Sequence, residues 1–158
     1  VVQEYAELNR QVILEELVKG MKWKMQESIS VCHNYIDKDS ILRKGAISAR
    51  EGEKVVIPIN MRDGILLGIG KGNSDWNYSA PHGSGRLLKR SEVKNQYTVS
   101  SFKKEMKGIY CSCIGKETLD EAPFAYRNME MIKEAVEDTV DITQVLHSVY
   151  NFKAGNDN

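Results

Sequence analysis

Between residues 28 and 69 the chain alternates short apolar, β-branched runs with tight polar turns, and this limits the fold more than any other feature. Residues 28–36, 41–47, 54–59 and 64–69 each have the length and composition of a strand. Asp37-Lys38-Asp39-Ser40, Arg50-Glu51-Gly52-Glu53 and Met61-Arg62-Asp63-Gly64 separate them, and these residue types favour turns. Helical periodicity appears before this block, over residues 5–20 with Tyr5, Leu8, Val12, Ile13 and Leu17 on one face, and after it over 86–97, 100–108 and 128–138. The second of these later helices has a serine cap. Residues 109–114 read as a short strand, and 140–152 as strand or mixed structure. Strands first, with helices interleaved irregularly, predict the α+β class: mixed or antiparallel sheets with flanking helices, not a doubly wound sheet.

A chain of 158 residues buries roughly 69% of its unfolded surface, enough for one core. A hydrophobic fraction of 41% and a charged fraction of 28% exclude the disordered and fibrous classes. No apolar run reaches the roughly 20 residues of a membrane span, and the opening Val1-Val2-Gln3-Glu4 does not read as a signal peptide. Three cysteines without framework spacing point to reduced thiols and a cytoplasmic setting. The formal charge of zero conceals a segregation. Residues 81–110 hold seven basic and two acidic side chains, and residues 111–150 hold three basic and eight acidic ones. The basic stretch reads as an electrostatic footprint for phosphate or as solvated helix faces.

The stretch from Gly70 to Arg86, with glycines at 70, 72, 83 and 85, lacks periodicity, and loops of that length usually carry function. Its last eight residues are Ser79-Ala80-Pro81-His82-Gly83-Ser84-Gly85-Arg86. Proline stiffens the backbone before the imidazole and glycines loosen it afterwards. With a helix starting near Gly85, Arg86 and Arg90 would stand one turn apart and face the same way. Such a histidine can serve as nucleophile, metal ligand or acid/base group, beside two guanidiniums suited to phosphate.

Asn60-Met61-Arg62-Asp63-Gly64, Gly68-Ile69-Gly70-Lys71-Gly72-Asn73 and Asp75-Trp76-Asn77-Tyr78 running on into that octet resemble the C-terminal part of the RtcB family. Ser30-Val31-Cys32-His33-Asn34-Tyr35, Asp120-Glu121-Ala122-Pro123-Phe124-Ala125-Tyr126 and Val149-Tyr150-Asn151-Phe152-Lys153-Ala154-Gly155 match as well, in order. The family ligates RNA with GTP and Mn2+, joining a 3′-phosphate or 2′,3′-cyclic phosphate to a 5′-hydroxyl through a histidine–GMP intermediate. The resemblance implies that His82 takes GMP and that His33 binds metal with Asn34 near the phosphate. It implies nucleotide contacts from Gly83, Ser84 and Gly85, with Gly83 and Ser84 against the ribose. Tyr126 and Lys153 would recognise the guanine, and Arg86 and Arg90 the phosphates of RNA ends. An archease-like activator is an implied partner.

Two departures accompany the match. The Asn60–Gly64 turn replaces the family's Gly-Ser-Met-Gly pattern near the base. The family's remaining metal ligands (an aspartate, a cysteine and two histidines) and a guanine-reading carboxylate belong to an N-terminal portion that this sequence lacks, so residues 1–158 are expected to be a C-terminal portion, inactive alone. A non-catalytic guanine-nucleotide or RNA-binding module is the alternative. Cys111 and Cys113 could pair on a metal, Cys32 reads as core packing and His147 as structural. Trp23 and Trp76 could stack bases, with Trp76 read instead as a plug that orders its loop.

Overall fold

The computed structural model describes residues 2–152. Helix α1 (Val2–Gly20) leads into an irregular segment and then β1 (Asn34–Ile36), β2 (Leu42–Lys44), β3 (Ala46–Ser48), β4 (Lys54–Asn60), β5 (Gly64–Gly70) and β6 (Ser79–Pro81). Helices α2 (Arg90–Gln96) and α3 (Val99–Glu105) follow, then β7 (Tyr110–Cys111), α4 (Met129–Val136), β8 (Val140–Leu146) and β9 (Tyr150–Asn151). The α+β expectation is met. The strands form four small sheets: β4-β5-β8, β1-β2 and β3-β6 are antiparallel, and β7-β9 is parallel. Among the described residues no helix is long and apolar enough to cross a membrane.

Two hydrophobic clusters organise the chain. In the first, Val55, Ile57 and Ile59 alternate inward along β4, and Leu66, Val140 and the α4 residues Ile132 and Val136 close over them. The second gathers Val93 of α2, Phe102 of α3, Met106, Leu119, Ala122 and Ala125. The end of β4 joins the two, because Ile59 lies in the first cluster and Met61 in the second. At the β4-β5 turn Gly64 has φ +90°, and a Cβ there would lie 2.0 Å from the Leu146 carbonyl oxygen. Only glycine lets β5 and β8 approach so closely.

Several expected elements have different limits. The run 41–47 is not one strand: Gly45, at φ +67°, breaks it into β2 and β3, which pair with different partners. Of residues 28–36 only the last three are strand. The helix expected over 86–97 starts at Arg90, because Lys89 is extended and its N–H donates to the Glu92 carboxylate at 2.8 Å. Arg86 is therefore outside the helix, and one helical turn does not relate it to Arg90. Helix α3 is capped by Thr98 instead of a serine, with Ser101 closing a reciprocal box. Beyond it, the strand expected over 109–114 shrinks to Tyr110–Cys111.

Trp76 is 56% exposed and does not plug its loop. Arg43 does that work from β2. Its buried guanidinium donates to the Asp37 carboxylate at 2.6 Å, Ser79 Oγ at 2.9 Å and the carbonyls of Asn77 and Tyr78 at 3.2 and 3.3 Å. Helix α1 buries none of its residues, and Tyr5, Leu8, Val12, Ile13 and Leu17 stay exposed.

Candidate functional site

His82 follows directly on β6, and β6 pairs with β3 so that Ala46 lies opposite Pro81. That register brings the imidazole onto the break at Gly45. His82 Nδ1 lies 2.6 Å from the Gly45 carbonyl oxygen. On its other side Gly45 donates its N–H to the His33 carbonyl at 2.8 Å and to Asn34 Oδ1 at 3.2 Å. The His33 and His82 rings stack, with centroids 4.8 Å apart and planes 11° from parallel. Three residues expected at the site thus converge on one glycine that no sequence signal singled out.

Past His82 the backbone tracks the end of β4. Ser84 is buried, donating its N–H to the Pro58 carbonyl at 3.1 Å and its hydroxyl to the Ile59 carbonyl at 2.6 Å. A cavity of about 610 Å³ opens here, and His82, Gly83, Ser84, Gly85, Arg86 and Tyr126 are among its lining residues. Met61, Gly64 and Asn151 line it too, and Asn151 Nδ2 donates to the Met61 carbonyl at 2.8 Å. The Asn60–Gly64 turn forms part of this wall, held by Asn60 Oδ1, which accepts from the backbone N–H groups of Arg62 and Asp63 at 2.9 and 2.8 Å.

Three of the lining residues, Arg86, Glu121 and Tyr126, belong to a charged network. Arg86 donates to the Tyr126 hydroxyl at 2.9 Å and to the Asp120 carbonyl, and its guanidinium lies 4.9 Å from the Tyr126 ring centroid. The Tyr126 hydroxyl in turn donates to Glu121 at 2.5 Å. Burial pushes the Tyr126 phenol up to about 12, and the Glu121 bond adds to the effect. Arg90 pairs with the carboxylates of Asp120 and Glu121, and Lys94 stands 3.8 Å from Asp120. Burial raises the Asp120 carboxyl most, but the Arg90 bond, a backbone hydrogen bond and the charges of Arg90 and Lys94 together leave the group below its ordinary value.

The chain therefore gathers His82, Gly83, Ser84, Gly85, Arg86 and Tyr126 around one cleft, while His33 and Asn34 are not part of its lining and join through the His82 ring and Gly45. Arg90 is not part of the cavity lining and joins through Asp120 and Glu121. Lys153 lies outside the described residues. Sequence reasoning missed Glu121, Asn151 and Gly45. The first two stand inside quoted motifs, where a polar residue a few places from an assigned aromatic or lysine was the available signal; Gly45 follows Arg43-Lys44 inside an expected strand, with none. A manganese site is not complete here: among the described residues no three His, Cys, Asp or Glu side chains group to hold a metal, and His33 offers a single imidazole.

The family model described as tRNA-splicing ligase RtcB matches residues 1–154. The RNA-splicing ligase RtcB1 of Escherichia coli strain ATCC 25922 is 30% identical over 93% of this chain and 40% of its own length. The RNA-splicing ligase RtcB of Escherichia coli K12 is 29% identical over the same shares. The tRNA-splicing ligase RtcB of Aeropyrum pernix is 36% identical over 52% of this chain and 18% of its own length. The chain thus spans about 40% of the length of the two Escherichia coli relatives. With the family model covering nearly every residue, cleft included, the chain belongs to the RtcB family.

Proposed function

We propose that the chain carries the GMP-accepting part of a GTP-dependent RNA ligase, a C-terminal portion of the ligase domain, with His82 as nucleophile. The observation behind this reading is the 2.6 Å contact between His82 Nδ1 and the Gly45 carbonyl, at the mouth of a cavity of about 610 Å³. A carbonyl oxygen only accepts, so in the neutral ring Nδ1 carries the proton and Nε2 keeps its lone pair. Nε2 attacks the α-phosphorus of GTP, a P–N bond forms, and the P–O bond to pyrophosphate breaks. His82 then yields GMP to an RNA 3′-phosphate, and a 5′-hydroxyl displaces GMP from the activated end. Gly83, Ser84 and Gly85 line the nucleotide's path, Tyr126 packs on the guanine, and Lys153 reads its edge. Arg86 lines the cavity where a phosphate would pass. The Arg90 side chain, 67% exposed beside its two carboxylates, meets RNA at the rim.

The family's manganese does not find a full ligand set in these residues, so no step here is routed through it. His33 supplies one ligand with Asn34 beside it, and the others come from an N-terminal portion of the ligase. An archease-like activator and RNA with 3′-phosphate and 5′-hydroxyl ends are the partners, in the cytoplasm.

Intact mass after incubation with GTP and manganese, with the N-terminal portion of an Escherichia coli relative added in trans, tests the reading. A GMP adduct absent from His82→Ala is expected. An adduct that persists in His82→Ala, or none with the full ligand set present, would overturn it. The lack of a three-ligand cluster among the described residues favours one second reading, a guanine-nucleotide or RNA-binding module without catalysis. That module would bind GTP and never acquire the adduct.

A further inference from the structure

Cys111 and Cys113 place their sulfurs 3.1 Å apart. Residues two apart on a strand share a face, and β7 ends at Cys111, so the turn at Ser112 and Cys113 folds the second thiol back toward the first. Both side chains are half-buried, within reach of a small solute, while Cys32 stands apart beside Arg10. From this geometry we infer that Cys111 and Cys113 form a site of reversible oxidation by peroxide, closing to an intramolecular disulfide.

The chemistry balances within the pair. One thiolate attacks a peroxide oxygen, the O–O bond breaks, and a sulfenic acid and one water result. The neighbouring thiol attacks that sulfur, the S–O bond breaks, the S–S bond forms, and a second water leaves. Two electrons pass from the sulfurs to the peroxide, and the two thiol protons end in the two waters. The sulfurs must approach by only about 1 Å to reach bonding distance near 2.05 Å. A dithiol reductant reverses the reaction.

The position makes the state of this pair consequential. β7 and β9 run parallel with Cys111 opposite Asn151, Tyr110 stacks on Tyr150 at 5.2 Å, and Ser112 Oγ lies 3.3 Å from the Tyr150 hydroxyl. Asn151 is the residue that lines the cavity and holds the Met61 carbonyl. A bond closed on one side of β7 is transmitted across two backbone pairs to the cavity wall. This second step rests on the nucleotide reading of the cavity; the oxidation itself does not.

The experiment treats the folded 158-residue chain with stoichiometric hydrogen peroxide and follows intact mass and peptide mapping. A loss of roughly 2 Da, mapped to 111 and 113 and restored by dithiothreitol, is expected. Cys32→Ser must keep this loss. Cys113→Ser must not show it, and instead a sulfenic acid on Cys111, about 16 Da heavier, is trapped by dimedone. No 2-Da loss in the unaltered chain, or a crosslink mapped to Cys32, would overturn the proposal without any variant having to fold. GTP affinity of the reduced and oxidised forms gives the second readout, with a severalfold difference expected. Equal affinities would overturn the coupling. No GTP binding in either state would count against the nucleotide reading and leave the disulfide result standing.

Discussion

Gly45 holds both site histidines: its N–H donates to the His33 carbonyl at 2.8 Å and its carbonyl meets His82 Nδ1 at 2.6 Å. At φ +67°, this arrangement depends on the absence of a side chain. Gly45→Ala puts a Cβ 3.5 Å from the His82 ring, ordinary contact, so its cost is in the backbone. The left-handed conformation should lower stability by about 1–2 kcal/mol. Relaxation toward negative φ turns the carbonyl off His82, and guanylylation with the N-terminal portion present should fall roughly tenfold or more. Urea denaturation and adduct formation measure the two effects, and a variant with full adduct yield would separate Gly45 from His82.

Arg43 sets the acid limit of stability through Asp37. The Arg43 hydrogen bond holds the Asp37 carboxyl well below the usual carboxylate range, with Arg50 and the backbone of Ile41 and Asp39 assisting against desolvation. A depressed folded value means the contribution is present above the unfolded value near 4 and is lost as pH falls. Chemical denaturation from pH 6 downward should show this loss, and Asp37→Asn should flatten it. Arg43→Met removes the ties to Ser79, Asn77 and Tyr78 and should cost about 2–4 kcal/mol.

At the other end of the scale, Tyr126 gives an alkaline limit. Its folded value of about 12 exceeds the ordinary tyrosine value near 10, so the neutral phenol is favoured in the folded chain. That contribution is fully present below pH 10 and disappears as pH rises through 12. Thermal melts across that window should decline more steeply in the unaltered chain than in Tyr126→Phe. Equal slopes would show that the Arg86–Tyr126–Glu121 chain does not govern the titration.

Gly64→Ala tests the seam between β5 and β8. With a backbone oxygen 2.0 Å from the new Cβ, neither strand has a flexible side chain to move aside. A loss of about 3 kcal/mol is expected, read as a lower urea midpoint. A loss under 1 kcal/mol would mean that the strands part easily here.

The sequence revealed strands that bury alternate residues, such as Val55, Ile57 and Ile59, because period-two burial leaves a pattern in a single segment. It revealed the His82 loop because proline, histidine and glycine are rare neighbours, and because several motifs of one family stand in order. Gly45 was hidden: a left-handed residue within a strand-like run looks like strand until its neighbours choose different partners. The start of α2 was misplaced for a related reason, since Arg86 turns away to Asp120 and Tyr126, which lie at least 34 residues distant in sequence. Helix α1 has the pattern of a buried face, yet exposes it, and periodicity reports a face without naming what covers it.

The bond from Asn151 to the Met61 carbonyl spans 90 residues of sequence. Loop-closure entropy grows slowly with length, so closing this loop costs less than about 1 kcal/mol more than closing one of half the length. His82 on Gly45, 37 residues apart, closes a far shorter loop. The cavity lining is thus assembled from residues far apart in the chain, and a ligand that spans it engages only chains in which residues 61, 82 and 151 have all been brought together.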